Sequence, residues 1–228
     1  MAGSDAPSVK PTVLVIASGN VGKLNEFRRF LCPAAPDRPP ELELRAQPEG
    51  LEVEETGSSF AANARLKAEA VARITGEWSL ADDSGLSVEA LGGEPGIRSA
   101  RYAPTDPERI ARLLRELEAA AAQAVACGQP CSRRARFTAA LAVADPGGRI
   151  ALEVEGCCEG QILAAPRGTG GFGYDPVFYV PELQLSFAEM DADQKRRVGH
   201  RGRALEALLP RLRALLGPAG RGGTGPTD

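Results

Sequence analysis

A near-continuous apolar run, TVLVIAS at residues 12–18, constrains the fold more than any other segment of the chain. Its β-branched residues favour extended backbone, and the lack of polar alternation is typical of a strand that is buried on both faces. Gly19-Asn20 breaks the run, and apolar residues then recur at helical spacing: Leu24, Phe27, Phe30 and Leu31. We therefore predict a strand, a short loop and a helix at the start of the fold.

The rest of the chain alternates between helix and strand patterns. Helices are predicted from Phe60 through Ile74 after a capping Ser58 or Ser59, from Asp106-Pro107 with an alanine-rich continuation to Ala126, and over 201–216. Strands are predicted at 42–44, at 78–82, and as a hairpin at 137–144 and 150–154. This order indicates an α/β fold with a mixed sheet.

The composition excludes several classes of protein. The chain of 228 residues is 43% hydrophobic and 25% charged, with a formal net charge of −3, so no global basic field attracts nucleic acid or an anionic membrane surface. The polar segment 1–10 lacks the apolar core of a signal peptide. We expect a cytoplasmic protein with one domain over 11–216, a flexible tail at 1–10 and a disordered tail at 217–228. Five cysteines without CxxC spacing indicate free thiols.

Two acidic segments are candidates for metal binding. Asp82-Asp83 follows the apolar run at 78–80 and precedes Ser84-Gly85, which predicts that a strand delivers a carboxylate into a turn at the end of the sheet. Glu52, Glu54 and Glu55 form a second acidic segment. Taken separately, Asp82-Asp83 favours a metal or catalytic role only slightly over a capped turn, and a solvated loop is the better explanation of the second segment. Together, carboxylates from two loops can hold the Mg²⁺ ion of a triphosphate substrate.

The segment from Ser18 to Lys23 is a candidate phosphate site. Backbone N–H groups at a helix N-terminus bind phosphate, and a lysine in the first turn adds a positive charge. The segment lacks the spacing GxxxxGK[ST] and is therefore not a standard P-loop. A plain turn with a surface lysine is the alternative.

Two further segments are candidates for recognising a planar ligand. The run from Gly168 to Asp175 holds four glycines and two aromatic residues, and an aromatic ring on such a loop can stack on a base. The alternative is a turn whose aromatic rings lie in the core. The chain has one histidine, His200, which with Lys195 and Arg201 lies near the start of the last predicted helix. A lone histidine is more often structural, but three donors at a helix N-terminus suit an acceptor-rich ligand.

At these residues the chain resembles the inosine triphosphate pyrophosphatase family. The matching segments occur in order and cover most of residues 12–216: SGNVGKLNEF (18–27), EETGSSFAANARLKA (54–68), ADDSGLSVEALGGEPGIRSARYA (81–103), PRGTGGFGYDPVF (166–178) and KRRVGHRGRAL (195–205). The resemblance implies an α/β fold of two lobes around a long, twisted mixed sheet with flanking helices and a central nucleotide cleft. It also implies a homodimer, a Mg²⁺ cofactor and hydrolysis of ITP, dITP and XTP to the monophosphate and pyrophosphate.

Position by position, the resemblance implies a role for each matching residue. Asp83 is the general base for the attacking water and, with Glu54, a ligand of Mg²⁺. The triphosphate is held by Ser18, Gly19, Asn20, Val21, Gly22 and Lys23, with Lys67 suited to the phosphates and Ser84 touching the substrate. The base pocket consists of Phe172, Gly173, Tyr174, Asp175, Lys195, His200 and Arg201. Ser18 and Gly199 depart from the family pattern, which has threonine and serine there.

Two other functions remain open on the sequence. A related pyrophosphatase that prefers modified pyrimidine or methylated nucleotides could share the phosphate machinery, and a panel of substrates separates the two. A nucleotide-sensing or RNA-binding module without catalysis is the second alternative. The net charge of −3 argues against RNA, and a carboxylate set of Glu54 with Asp83 exceeds what binding alone requires.

Overall fold

The computed structural model describes residues 11–19, 21–31 and 42–217. The tails predicted at 1–10 and beyond 217, the proline-rich segment 33–40, Cys32 and Asn20 lie outside the described residues. None of the described helices has the length and apolar content needed to cross a bilayer.

The described residues form five α-helices and seven strands. The helices are α1 (Val21–Leu31), α2 (Phe60–Thr75), α3 (Asp106–Ala126), α4 (Ala192–Val198) and α5 (His200–Leu216). The strands are β1 (Thr12–Ala17), β2 (Leu42–Ala46), β3 (Trp78–Val88), β4 (Arg134–Ala144), β5 (Ile150–Ile162), β6 (Phe178–Val180) and β7 (Leu185–Ser186). They form one sheet in the order β2-β1-β3-β4-β5-β6-β7. Strand β1 is parallel to β2 and β3, and the later neighbours are antiparallel, which confirms the mixed sheet.

Helices cover both faces of the sheet at the β1 end. Leu14 and Ile16 pack with residues of α1 and α5, whereas Val13 and Val15 pack with alanines of α2 on the other face. The apolar run at 12–18 is therefore buried on both sides, as its composition predicts. A third cluster gathers α3 with β6 and the aromatic residues around Phe137, and it forms the core of the second lobe.

The helix starts follow their capping residues. Ser59 Oγ accepts the N–H of Ala62 at 3.1 Å, and Thr105 forms a capping box with Glu108 at the start of α3. Both starts confirm the sequence prediction. The short helix α4 was not predicted, and Ile74 at the end of α2 is 59% exposed rather than part of the core.

Strand β3 continues well beyond its predicted end. The predicted turn at Asp82-Asp83 is wrong, because β4 pairs with β3 all the way from Ser79 to Val88. On the other side, β1 pairs with β3 only as far as Ala81. Asp82 and Asp83 are thus the first residues of β3 beyond the end of β1, and successive strand residues point to opposite faces.

Candidate active site

Asp82 is the centre of one charged network, on the face of β3 that packs against α1 and α5. Lys23, in the first turn of α1, places its Nζ 2.6 Å from Asp82 Oδ2. Arg201 Nη2 lies 3.4 Å from the same oxygen and donates to Ser84 Oγ at 2.9 Å. Burial opposes ionisation of this carboxyl, but Arg201 and Lys23 together hold its pKa well below the ordinary value. Asp82 is therefore a fixed negative charge that joins α1 to α5.

Asp83 is the centre of a second network, on the face that packs against α2. Lys67 Nζ donates to Asp83 Oδ1 at 2.8 Å, and Asn63 Nδ2 donates to Asp83 Oδ2 at 3.3 Å. Burial raises the pKa of the Asp83 carboxyl, although the Lys67 ammonium acts in the opposite direction. Of the two neighbouring aspartates, Asp83 is the more basic.

The acidic segment reaches this second network through Glu55 rather than Glu54. Glu55 accepts from Lys67 at 2.8 Å and from Arg101 at 2.6 Å. Burial opposes its ionisation, but these two cations lower the pKa of its carboxyl. Glu54 is exposed, and no hydrogen bond or ion pair joins it to another described residue. In the described part of the chain, no group of three or more His, Cys, Asp or Glu side chains is placed to hold a metal ion.

The predicted phosphate segment lies at the start of α1. Ser18 and Gly19 follow β1, and α1 begins at Val21 with Gly22 and Lys23 in its first turn. The first N–H groups of this helix have no partner within the helix, as at every helix N-terminus. Lys23 links this segment to Asp82, so the segment lies beside the edge of the sheet that β1 leaves open.

The glycine-rich loop separates its two aromatic residues. Tyr174 is 4% exposed, and its hydroxyl donates to the Ser99 carbonyl at 3.0 Å, so its ring belongs to the core. Phe172 is 37% exposed. Gly173 donates its N–H to Asp106 Oδ2 at 2.7 Å. The structure confirms the core alternative for Tyr174, whereas stacking of Phe172 on a base stays a prediction.

Asp175 connects the same loop to α4. Its Oδ2 accepts the N–H of Phe172 at 2.9 Å and the Lys195 ammonium at 2.5 Å. Burial raises the pKa of this carboxyl while Lys195 opposes the shift. Gly171 has a φ of +75°, and a Cβ there would lie 2.0 Å from Asp175 Oδ2, so glycine is required for this close approach.

His200 is buried against aromatic rings at the start of α5. Its ring stacks on Phe137 with centroids 4.6 Å apart and an interplanar angle of 11°. Burial and the neighbouring Arg201 lower the pKa of the imidazole well below its ordinary value. Its Nδ1 is buried and has no hydrogen-bond partner among the described residues. Burial therefore favours the neutral imidazole, whose Nδ1 is a buried polar atom without a partner among the described residues.

A cleft of about 760 Å³ lies between α1, the glycine-rich loop, α4 and α5. Its lining includes Glu26, Phe172, Phe187, Lys195, His200 and Arg201. Lys195 Nζ and Arg201 Cζ lie 5.2 and 5.8 Å from the centre of the Phe172 ring. Asp83, Lys67 and Ser84 do not line this cleft but lie beside it, around the open edge of β3.

Comparison with known proteins gives the family. A profile of the Ham1 family matches residues 14–211. The chain belongs to the Ham1 family.

Relatives in this family are close in sequence and in structure. The chain is 52% identical to the dITP/XTP pyrophosphatase of Nostoc sp., covering 90% of this chain and 96% of the relative. It is 55% identical to the dITP/XTP pyrophosphatase of Parasynechococcus marenigrum, covering 89% and 96%. The solved structure of a HAM1 protein from Coxiella burnetii aligns with a TM-score of 0.76 at 42% identity, covering 88% and 98%. These findings confirm the resemblance and the α/β fold with its mixed sheet and two lobes.

Two glycines explain how this Ham1 chain joins α4 to α5. At Gly199, where the resemblance leads us to expect serine, a Cβ would lie 2.5 Å from the Lys195 carbonyl oxygen. At Gly202, a Cβ would lie 1.7 Å from the Arg196 carbonyl oxygen. The absence of side chains lets the two helices meet closely, which fixes Lys195 relative to Arg201.

Sequence reasoning missed several residues of the two networks. Glu26 accepts from Arg201 and lies 4.0 Å from Lys195, so its carboxylate faces both of these cations. Asn63, Glu55 and Arg101 belong to the network of Asp83. Glu26 follows Lys23 by three residues, and this helical spacing was the one signal that could have found it.

Proposed function

We propose that this chain is a Mg²⁺-dependent pyrophosphatase that hydrolyses dITP, XTP and ITP to the nucleoside monophosphate and pyrophosphate. One observation carries the proposal: Lys23 and Lys67 meet neighbouring carboxylates from opposite faces of β3, at 2.6 and 2.8 Å. Such a pair of lysines around an open strand edge suits a polyphosphate chain. The names of the relatives support the same conclusion, because they describe pyrophosphatases acting on dITP and XTP.

The phosphates are held by the segment 18–23 and by the lysines. Hydrolysis of a phosphoanhydride depends mostly on positioning and on neutralising charge. The N–H groups at the start of α1 point out of the end of the helix, where the helix dipole favours an anion. Lys23 adds its positive charge in the first turn. Lys67, on the other face, supplies a second charge beside Asp83. These groups stabilise the pyrophosphate as it leaves.

Asp83 accepts the proton of the attacking water. The residue Asp83 is 7% exposed, and burial raises the pKa of its carboxyl. Asp83 is therefore a stronger base than an exposed aspartate. Lys67 stabilises the ionised form that must take the proton. Asp82 is unsuited to this role, because Lys23 and Arg201 hold it in ion pairs with a lowered pKa.

The residues near Asp83 fit a Mg²⁺ ion that arrives with the substrate. Magnesium in nucleotide sites is held by one or two carboxylates, and phosphates and waters supply the other ligands. Glu54 and Asp83 would provide the carboxylates, as the resemblance implies, and Asp83 would share its oxygens between the ion and its donors Lys67 and Asn63. When bound, the ion would neutralise charge on the phosphate oxygens.

The cleft beside Phe172 receives the base. Hypoxanthine and xanthine carry an oxygen at position 6, where adenine carries an amino group. Lys195 and Arg201 can donate to that oxygen, and Phe172 offers a ring face beside them. An adenine would present its amino group, itself a donor, to Lys195 and Arg201 and would offer no acceptor there, so each hydrogen bond to the 6-oxo oxygen would be lost at a cost of about 1–3 kcal/mol. Guanine has the same oxygen, so rejection of GTP requires a further contact at position 2.

We further propose that the protein acts as a homodimer in the cytoplasm and binds no nucleic acid. The formal net charge of −3 supports the last point. Sedimentation of the purified protein tests the dimer.

Pyrophosphate release tests the proposed function. The wild-type protein is given dITP, XTP, ITP, GTP and ATP, each with Mg²⁺ and with a chelator. We expect pyrophosphate from the first three substrates, at least tenfold faster than from ATP, and none with the chelator. Equal rates with ATP and ITP would contradict the assignment of the base pocket.

Asp83→Asn is the matching variant. Removing the general base should reduce kcat on the order of 10²- to 10⁴-fold and leave nucleotide binding intact. Glu159→Gln makes the same chemical change at an exposed position on β5 and should behave like the wild type. Near-native kcat in Asp83→Asn would remove this residue from the role.

A further inference from the structure

Asn63 is a fully buried polar residue in the first turns of α2. Its Oδ1 accepts the N–H of Gly57 at 2.8 Å, and its Nδ2 donates to Asp83 Oδ2 at 3.3 Å. Because an N–H can only donate and an ionised carboxylate can only accept, these two partners determine which way the amide faces. The Asn63 side chain therefore has a single orientation, and it connects the segment ending at Gly57 to Asp83.

The contact with Asn63 requires glycine at position 57. A Cβ at position 57 would lie 2.6 Å from Asn63 Oδ1 and 2.7 Å from Ala62 Cβ. Any larger residue would push the segment away from α2. The segment that ends here carries Glu54 and Glu55, so the contact fixes where these carboxylates lie relative to Asp83.

The two donors that hold Asp83 come from one face of α2. Asn63 and Lys67 are four residues apart, so they lie one above the other on the helix. Lys67 holds Oδ1 and contributes a charge, whereas Asn63 holds Oδ2 and contributes none. Rotation of the Asp83 carboxylate would break one of these bonds, so the pair fixes the plane of the carboxylate.

We propose that Asn63 is a positioning residue, which orients the Asp83 carboxylate for the attacking water and ties the segment 54–57 to it. This inference rests on the proposed function, because Asp83 is the base in that reaction. Asn63 does not touch the substrate. It acts through Asp83, and misplacing a reacting group by about 1 Å can cost on the order of 100-fold in rate.

Asn63→Asp tests the inference. The substituted side chain has the same shape, and in its ionised form it keeps an acceptor for the Gly57 N–H but has no donor for Asp83 Oδ2, so kcat is measured at a pH at which the new carboxyl is ionised. Active sites are counted by titration with a dITP analogue that cannot be hydrolysed, so that a loss of folded protein is not mistaken for a loss of rate. We expect kcat per site to fall about 10- to 100-fold while KM for dITP stays within about twofold. Gln161→Glu makes the same change at an exposed position on β5 and should have no effect.

A second variant covers the case in which Asn63→Asp does not fold. Gly57→Ala leaves Asn63 in place but pushes on its amide, so kcat per site should again fall with little change in KM. Gly147→Ala in the β4–β5 turn is its control, since a Cβ there comes no closer than 3.3 Å to another group. Amide hydrogen exchange, measured without nucleotide, gives a test that does not depend on turnover. Asn63→Ala removes the acceptor of the Gly57 N–H, so exchange of that amide should become faster.

The outcomes separate the two proposals. Wild-type protein that releases no pyrophosphate from dITP or XTP would reject the proposed function, whatever Asn63 does. If the wild type is active and Asn63→Asp, or Gly57→Ala where Asn63→Asp does not fold, keeps kcat per site within twofold, the positioning role is overturned. A proportional loss of active sites with unchanged kcat per site would show a purely structural residue and would also overturn it.

Discussion

Asp82 and Asp83 are neighbours in the chain, yet their carboxylates bind lysines on opposite faces of β3. Asp82 Oδ2 lies 2.6 Å from Lys23 Nζ, and Asp83 Oδ1 lies 2.8 Å from Lys67 Nζ. The alternation of side chains along a strand separates the two groups, and the end of β1 at Ala17 leaves the edge of β3 beside both residues without a neighbouring strand. Asp82 thus joins structural elements, whereas Asp83 is the residue to which we assign proton transfer in the proposed reaction.

Because of the Asp82 ion pairs, the free energy of unfolding should depend on pH in the acid range. We expect Asp82→Asn to lower the free energy of unfolding at pH 7 by about 3–5 kcal/mol, because Arg201 and Lys23 lose their buried partner. The folded-state pKa of Asp82 lies below its unfolded value of about 3.9. The contribution of Asp82 to the free energy of unfolding is therefore complete above the unfolded-state pKa of about 3.9. It is lost as the pH falls through the folded-state pKa.

Urea unfolding of both proteins between pH 7 and pH 3 measures this effect. The difference between wild type and Asp82→Asn should shrink in acid below about pH 4. A difference that stays constant down to pH 3, or none at pH 7, would show that Asp82 is not a stabilising buried charge.

His200 should stay neutral in the folded protein. Its pKa lies well below the ordinary value because the ring is buried beside Arg201. The chain has one histidine, so tag-free protein gives a single imidazole signal by NMR. We expect no titration of that signal between pH 7.5 and 6, and a normal transition near pH 6.5 in urea-unfolded protein. A folded-state transition near 6.5 would contradict the buried, neutral ring.

Lys195 should contribute to discrimination between bases. Lys195→Met removes a donor beside the 6-oxo position while keeping the length of the side chain. We expect the ratio of kcat/KM for dITP over dATP to fall about 5- to 150-fold, which corresponds to 1–3 kcal/mol. Arg197→Met removes a positive charge from the exposed side of the same helix and should leave the ratio unchanged. An unchanged ratio in Lys195→Met would remove this residue from base recognition.

Gly156 should be needed to seat α5 on the sheet. A Cβ at this position of β5 would lie 2.3 Å from both the Ala204 nitrogen and the His200 carbonyl oxygen. Gly156→Ala therefore displaces the start of α5, and we expect a loss of about 1–3 kcal/mol in unfolding free energy. It should also raise KM for dITP, because His200 and Arg201 move with the helix. Stability and KM equal to those of the wild type would contradict this packing, for which Gly147→Ala again serves as the control.

The elements with strong local signals could be predicted from the sequence. The run at 12–18 contains enough apolar residues to require burial on both faces, and Thr105 and Ser59 start helices through their own side chains. The glycines at 168, 170, 171 and 173 predicted a loop that brings the chain close to its neighbours. These features depend on short stretches of chain, so the local pattern of residues is enough to predict them.

The networks of the site depend on distant residues and were predicted only in part. Asp-Asp-Ser-Gly is typical of a turn, and only the pairing with β4 keeps it within β3. Nothing in the acidic segment distinguishes Glu55 from Glu54 until Lys67 lies beside it. Tyr174 and Phe172 are two residues apart on one loop, and the core around Ser99 decides which ring is buried. The residue pattern indicated Lys23 and Lys195 as donors to a ligand, whereas the role of Asp83 as general base came from the resemblance.

In the proposed reaction, water activated by Asp83 attacks the α-phosphorus of the nucleotide, so that pyrophosphate is the leaving group. Hydrolysis of dITP in ¹⁸O-labelled water, followed by mass spectrometry of both products, tests it most directly. We predict that the label appears in the monophosphate and that the released pyrophosphate carries none. Label in the pyrophosphate, or formation of a diphosphate and inorganic phosphate, would contradict the account.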